Sequence, residues 1–214
     1  MKAVFFDLDG VLVNSEVIHQ GLFKEFLEQE QSPIPPERFY LLIGSHKSLN
    51  PWSKIMEGID LQESLEEFRE RMKAYRNKRL SQINFGEHVF FEVRSVLEQL
   101  KERGIKIACA SSSNIQYITE VLKGGHIYDL FDLIVSCDDF KKSKPEPDIY
   151  LYCMNYFGFE PQDCIVVEDS EIGIQAGKSA GMKVLARKDY HFGLNQSQAD
   201  GFIDDLNGIF GYMD

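Results

Sequence analysis

AVFFDLDG, residues 3–10, runs an apolar segment, Ala3-Val4-Phe5-Phe6, directly into two aspartates one residue apart. A short apolar run bounded by Asp-Gly reads as a buried strand that ends in a turn. If residues 3–9 formed one continuous strand, its period of two would put Asp7 and Asp9 on the same face. Two carboxylates so placed repel, and either one takes up a proton or both need a cation. Folding alone gives no reason for such a pair.

Four more runs look like the first. With KAVFF (2–6), the set is IKIACA (105–110), DLIVS (132–136), CIVVE (164–168) and KVLA (183–186). Helical patterns lie between several of them. Val93, Val96, Leu97 and Leu100 make an i, i+3, i+4, i+7 stripe, with Gly104 as its stop signal, and IGIQAGKSAG (172–181) is similar. Strands alternating with helices predict an α/β fold around a parallel sheet. The first two runs stand about a hundred residues apart, too far for one crossover. Residues 14–81 carry helical patterns broken by the three prolines of QSPIPPE (31–37). The expected division is therefore an α/β core over 1–13 and 82–214, with a helical insertion over 14–81.

Charge and cysteine usage narrow the class. The net charge is −11, from 23 basic and 34 acidic residues, which argues against a nucleic-acid surface and an anionic membrane surface. Cys109, Cys137, Cys153 and Cys164 form no C-x-x-C pair, so a zinc site is not expected, and they read as buried free thiols suited to a reducing compartment. No secretory leader and no apolar run of membrane-spanning length is visible. A cytoplasmic location is the default expectation. The sequence does not give the oligomeric state, for which a monomer is the default.

In open α/β sheets the site lies beyond the carboxyl ends of the strands. After the first run come Asp7, Asp9 and Gly10; after the second, Ser111 in ASSSN; after the third, Asp138 and Asp139, then KKSKPEPD with Lys144; after the fourth, Glu168, Asp169 and Ser170. Distant segments would thus bring carboxylates, a hydroxyl and a lysine to one edge.

This ordered set resembles the haloacid dehalogenase superfamily of phosphotransferases. D-x-D-G-V stands at 7–11, a small hydroxyl residue at 111, Lys144 before Pro145, and E-D-S at 168–170. The spacing is similar to that of the branch with a helical cap after the first motif, which includes β-phosphoglucomutase and many small phosphatases. KPEPDIY (144–150) and EDSEIGIQAGKSAGM (168–182) look especially like that branch. The resemblance implies a Rossmann-like core, a Mg²⁺ cofactor and a small phosphorylated metabolite as substrate.

It also implies roles. Asp7 is the nucleophile that forms an aspartyl phosphate, and Asp9 the general acid and base. Asp7, the backbone carbonyl of Asp9 and Asp169 are the implied Mg²⁺ ligands, with Glu168 a ligand or its supporting partner. Ser111, Ser112 and Asn114, opening the helix after their strand, make a phosphate seat. Lys144 holds both phosphate and Asp7. Lys47 falls where many relatives carry a phosphate-contacting arginine, but lysine lacks the bidentate fork. His19 matches a histidine near the cap hinge in β-phosphoglucomutase relatives.

Each residue has a plainer reading. Asp-Gly favours turns, Ser111 could cap a helix, Lys144 could be a surface lysine, and Trp52 is more readily core than substrate platform. Taken jointly, the set points to a phosphatase acting on a small organic phosphate such as a sugar phosphate. A β-phosphoglucomutase-like mutase is the alternative. Asp9 speaks against a dehalogenase or a phosphonate hydrolase of this fold, which do not need the second aspartate. The nucleophile with an acid beside it speaks against a regulator that only binds phosphate.

Overall fold

The computed structural model describes residues 1–42 and 51–213. Six strands form one sheet: β1 (Ala3–Phe6), β2 (Lys106–Ser111), β3 (Leu133–Ser136), β4 (Cys164–Glu168), β5 (Lys183–Arg187) and β6 (Gly201–Ile203). Their order is β3-β2-β1-β4-β5-β6. Every pairing is parallel. β1 is buried along its whole length between β2 and β4. Strands covered on both faces need apolar residues at every position, which is why these read as runs and not as alternations.

The helices, in chain order, are α1 (Ser15–Gln29), α2 (Trp52–Ile55), α3 (Leu65–Leu80), α4 (Val93–Glu102), α5 (Ile115–Gly124), α6 (Asp148–Phe157) and α7 (Glu171–Ser179). The expected stripe of α4, Val93, Val96, Leu97 and Leu100, is fully buried. The helix stops where Gly104 takes a left-handed φ of 73°.

The chain divides into two compact units, Met1–Asn14 with Phe85–Asp214, and Ser15–Asn84. In the first, Phe5, Val166, Ala108, Val184 and Tyr150 belong to one buried cluster on the sheet. In the second, Phe23, Phe26, Phe39, Trp52, Ile55 and Phe68 make a separate core, with Trp52 6% exposed. A reciprocal Ser64–Glu67 capping box starts α3. All four cysteines are buried and free. Among the described residues, no helix is long and apolar enough to cross a membrane.

Two local expectations change. The sheet has a sixth strand, β6. Its three residues, with Phe202 turned outward, are too short to register as an apolar run. The first strand ends at Phe6, so Asp7 and Asp9 are not neighbours on one continuous strand face. Gly10, with φ 78°, turns the chain instead.

Candidate active site

The carboxyl ends of β1, β2 and β4 carry the candidate residues. Asp7 follows β1, and its N–H donates to the Val167 carbonyl on β4 (3.0 Å). Ser111 ends β2, and Glu168 ends β4. Lys144, from the segment before α6, reaches under this edge and is 3% exposed. Its ammonium donates to Asp7 Oδ1 (2.5 Å), Glu168 Oε1 (2.6 Å) and the Ala110 carbonyl (2.9 Å). Three acceptors match the three protons of the ammonium. The Tyr150 ring lies 5.0 Å from Lys144 Nζ, and its hydroxyl donates to Glu168 Oε1 (2.6 Å).

Glu168 is fully buried. Its second oxygen accepts from the Asp169 N–H and the Ser170 hydroxyl, both at 3.2 Å. This crowding requires Gly173, where a Cβ would stand 1.9 Å from Glu168 Oε1. Gly10 plays the same part for Asp169, whose Oδ2 would lie 1.9 Å from an added Cβ. The backbone of Asp169 is fixed by Gln196, which donates from Nε2 to the Asp169 carbonyl (2.6 Å) and to the Arg187 carbonyl (2.7 Å).

The charges do not balance locally. Burial, followed by the neighbouring Glu168 and Asp9, pushes the Asp7 carboxyl up to about 8 against the pull of Lys144. Burial alone would lower Lys144, but Asp7 and Glu168 raise it well above its ordinary value and keep it charged. Burial and Glu168 likewise push Tyr150 up, so its hydroxyl stays a donor. Asp7, Glu168 and Asp169 offer ligand oxygens within 4.8 Å of one another. An all-oxygen set short of positive charge fits a hard divalent cation such as Mg²⁺.

Asp9 faces other partners. Its Oδ2 accepts from the Ser113 hydroxyl (2.8 Å) and its Oδ1 from the Tyr117 hydroxyl (3.1 Å). The two aspartates are thus oriented independently, Asp7 by a lysine and Asp9 by two hydroxyls. Ser111 is buried, and its Oγ accepts the Ser113 N–H (3.0 Å). Ser112 points its hydroxyl towards Cys137 Sγ (3.8 Å). Asn114 is the N-cap of α5, its side chain accepting the Tyr117 N–H (3.0 Å). Asp138 and Asp139 are exposed, outside the acidic cluster. In the insertion, His19 lines a cavity of about 150 Å³ with Phe23, Phe39, Tyr75 and Arg76. Lys73 is exposed beside Glu70 (3.7 Å). Lys47 lies outside the described residues.

Comparisons with known proteins identify the family. The profile of the haloacid dehalogenase-like hydrolases matches residues 4–187. The chain belongs to this family. Among its relatives, a phosphorylated carbohydrates phosphatase of Thermotoga maritima is 30% identical, over 94% of this chain and 88% of its own. A β-phosphoglucomutase of Bacillus subtilis is 35% identical, over 85% of this chain and 81% of its own. The crystal structure of a β-phosphoglucomutase from Clostridium difficile superposes with a TM-score of 0.74 at 26% identity, covering 100% of this chain and 95% of that one. These relatives are named as a phosphatase and as phosphoglucomutases.

Sequence reasoning missed Tyr150, Ser113, Tyr117 and Gln196. Ser113 stood in a visible run of three serines. Nothing in the sequence pattern separates the other three from ordinary core or loop residues.

Proposed function

We propose that this protein is a Mg²⁺-dependent phosphatase of small organic phosphate monoesters, phosphorylated sugars among them, working through a phosphorylated Asp7. The observation that carries the reading is the lysine-braced Asp7 beside a second aspartate that is held separately by hydroxyls. A phosphatase needs these two roles in two groups. Asp7 attacks phosphorus, the bond to the leaving oxygen breaks, and that oxygen takes its proton from Asp9. Water then attacks phosphorus and gives its proton to Asp9, and the bond to Asp7 breaks to release phosphate. Lys144 keeps Asp7 aimed throughout, while Ser111 and the start of α5 face the phosphate oxygens.

Asp7 and Asp169, with the backbone carbonyl of Asp9, would hold the Mg²⁺. When bound, it supplies the positive charge that lets a phosphate dianion approach a carboxylate. Glu168, with both oxygens engaged by Lys144, Tyr150, Ser170 and the Asp169 N–H, orients the lysine in this reading. The α/β unit is the catalytic core. The helical unit is a cap that selects the leaving group, with His19 and Lys47 as its candidate contacts. The buried free cysteines suit a cytoplasmic setting.

A second reading is a phosphomutase, favoured by the identity to the Bacillus subtilis enzyme. Its first step is the same, but the phosphoryl group returns to a sugar. β-Glucose 1-phosphate with catalytic glucose 1,6-bisphosphate separates the two: a mutase yields glucose 6-phosphate, a phosphatase yields inorganic phosphate. A screen over sugar, nucleotide and amino-acid phosphates with Mg²⁺ tests the main reading. Release of phosphate from none of them overturns it.

Metal linkage gives a further expected result. Asp7 is raised from 3.8 to about 8 in the folded protein, so its protonated form is favoured by folding. That stabilisation is fully present below pH 4 and is lost as pH rises through about 8, and its loss favours metal uptake, because the ionised carboxylate is the form that binds a cation. The rise in Tm on adding Mg²⁺ should therefore grow from pH 6 to pH 9, and Asp169→Ala should shrink it. A shift that is independent of pH, or larger at pH 6, would remove Asp7 from the ligand set.

A further inference from the structure

We infer that Ser113 and Tyr117 are positioning residues for Asp9, and that Tyr117 ties the placement of this acid to the segment by which the chain returns from the insertion. The inference rests on the phosphatase reading above. Both Asp9 oxygens are engaged, one by each hydroxyl, at 2.8 Å and 3.1 Å. Two donors on different oxygens fix the rotation of the carboxylate plane as well as its location. The donors are themselves braced. Asn114 caps α5 by accepting the Tyr117 N–H, and the Ser113 carbonyl accepts the Ser136 hydroxyl (2.8 Å).

The ring of Tyr117 stands edge-on to Phe85, with centroids 5.2 Å apart and planes at 79°. Phe85 is 7% exposed and opens the 3-10 turn Phe85–His88, where the α/β unit resumes. That turn is seated tightly on the end of α5. A Cβ on Gly86 would stand 1.9 Å from the Gly124 carbonyl carbon. The outgoing and returning segments are clipped together, by the Asn14 N–H on the His88 carbonyl (2.9 Å) and by the Val13–Val89 bridge. The same outgoing segment carries Asp9, and Gly10 N–H donates to the Val13 carbonyl (2.9 Å). Asp9 is thus held twice to the returning segment, through the backbone clip and through Tyr117 on Phe85. A shift of the returning segment moves the acid.

A group that aims the general acid matters in proportion to how badly the leaving oxygen needs a proton. p-Nitrophenolate leaves as a stable anion, whereas p-methoxyphenolate is more basic and depends more on the acid. The test uses wild type, Tyr117→Phe, Ser113→Ala and Phe85→Leu with a series of ring-substituted phenyl phosphates at saturating Mg²⁺. The readout is kcat/KM, which covers the steps up to phosphorylation of Asp7. The slope of log kcat/KM against leaving-group basicity should steepen in all three variants. In Tyr117→Phe, the loss on p-methoxyphenyl phosphate should exceed the loss on p-nitrophenyl phosphate by about tenfold, a part of the 10²–10⁴-fold that general acids contribute. Phe85→Leu keeps the hydroxyl but loosens its brace, so it should show the same sign with a smaller change. A damaged fold would lower all substrates alike and leave the slope unchanged. Unchanged slopes in the variants overturn the inference. A wild type that hydrolyses no member of the series overturns the phosphatase reading instead.

Discussion

Asp7→Asn should abolish turnover while leaving the fold intact, with kcat falling by at least about 10³-fold. The amide has nearly the shape of the carboxylate, and its oxygen can still accept from Lys144, so the 2.5 Å contact has a replacement. It is a poor nucleophile, and no phosphorylated enzyme can form. The stability effect separates loss of chemistry from loss of structure. Wild-type Asp7 resists ionisation, because burial and the carboxylates of Glu168 and Asp9 oppose its charge. The neutral amide escapes this. Without metal, the variant should therefore melt no lower than wild type at pH 6 and higher than wild type at pH 9. Its Tm should also respond weakly to Mg²⁺, since one ligand charge is gone. Activity above a few per cent of wild type would exclude the covalent route. A lower Tm at pH 9 would show that Asp7 is not the strained member of the cluster.

How much of this was legible in the sequence depends on how local each signal is. Strands β1 to β5 could be read because both faces of the sheet are covered, which forces continuous apolar runs. β6 could not, since three residues with one turned outward make no run. Asp7, Lys144, Glu168 and Asp169 could be read because the ends of parallel strands share one edge. Tyr150 and Tyr117 depend instead on which face of α6 or α5 turns to that edge, and Ser113 on the path of the loop between β2 and α5; a buried tyrosine on an apolar helix looks like any core aromatic. Glu92, at the start of α4, carries no signal in the sequence. Glu92 is in fact 2% exposed and pairs with Arg187 (2.7 Å), whose guanidinium also donates to the Val11 carbonyl (3.1 Å) and lies 3.5 Å from the centre of the Phe90 ring. No sequence pattern announces a pair 95 residues apart. The insertion was legible as helical, but the roles given to His19 and Lys47 rested on resemblance alone.

Lys144→Met should be the most damaging single change to stability, and it should remove activity as well. The methionine keeps most of the stem but leaves Asp7 and Glu168, both buried, without their shared cation. Removing one partner of a buried ionic cluster costs about 3–5 kcal/mol, and for a chain of this size that is a fall in Tm of about 6–20 °C. Lys144→Arg should not rescue it. Three acceptors and the Tyr150 ring enclose a compact ammonium, and a planar guanidinium is larger and differently shaped. Pairing the loss with Glu168→Gln tests the cause. Glutamine can keep its oxygen where Glu168 accepts from the Asp169 N–H and the Ser170 hydroxyl, and can turn its amide N–H to the Tyr150 oxygen. That removes one buried charge and keeps an acceptor for the Asp169 N–H and the Ser170 hydroxyl, while the Tyr150 oxygen turns from donor to acceptor. The double variant should recover at least half of the lost Tm and none of the activity, because Asp7 is still unaimed. If Glu168→Gln adds to the damage instead, the instability of Lys144→Met comes from lost packing and not from uncompensated charge. Recovery of turnover together with Tm would show that Lys144 braces the fold without directing the nucleophile.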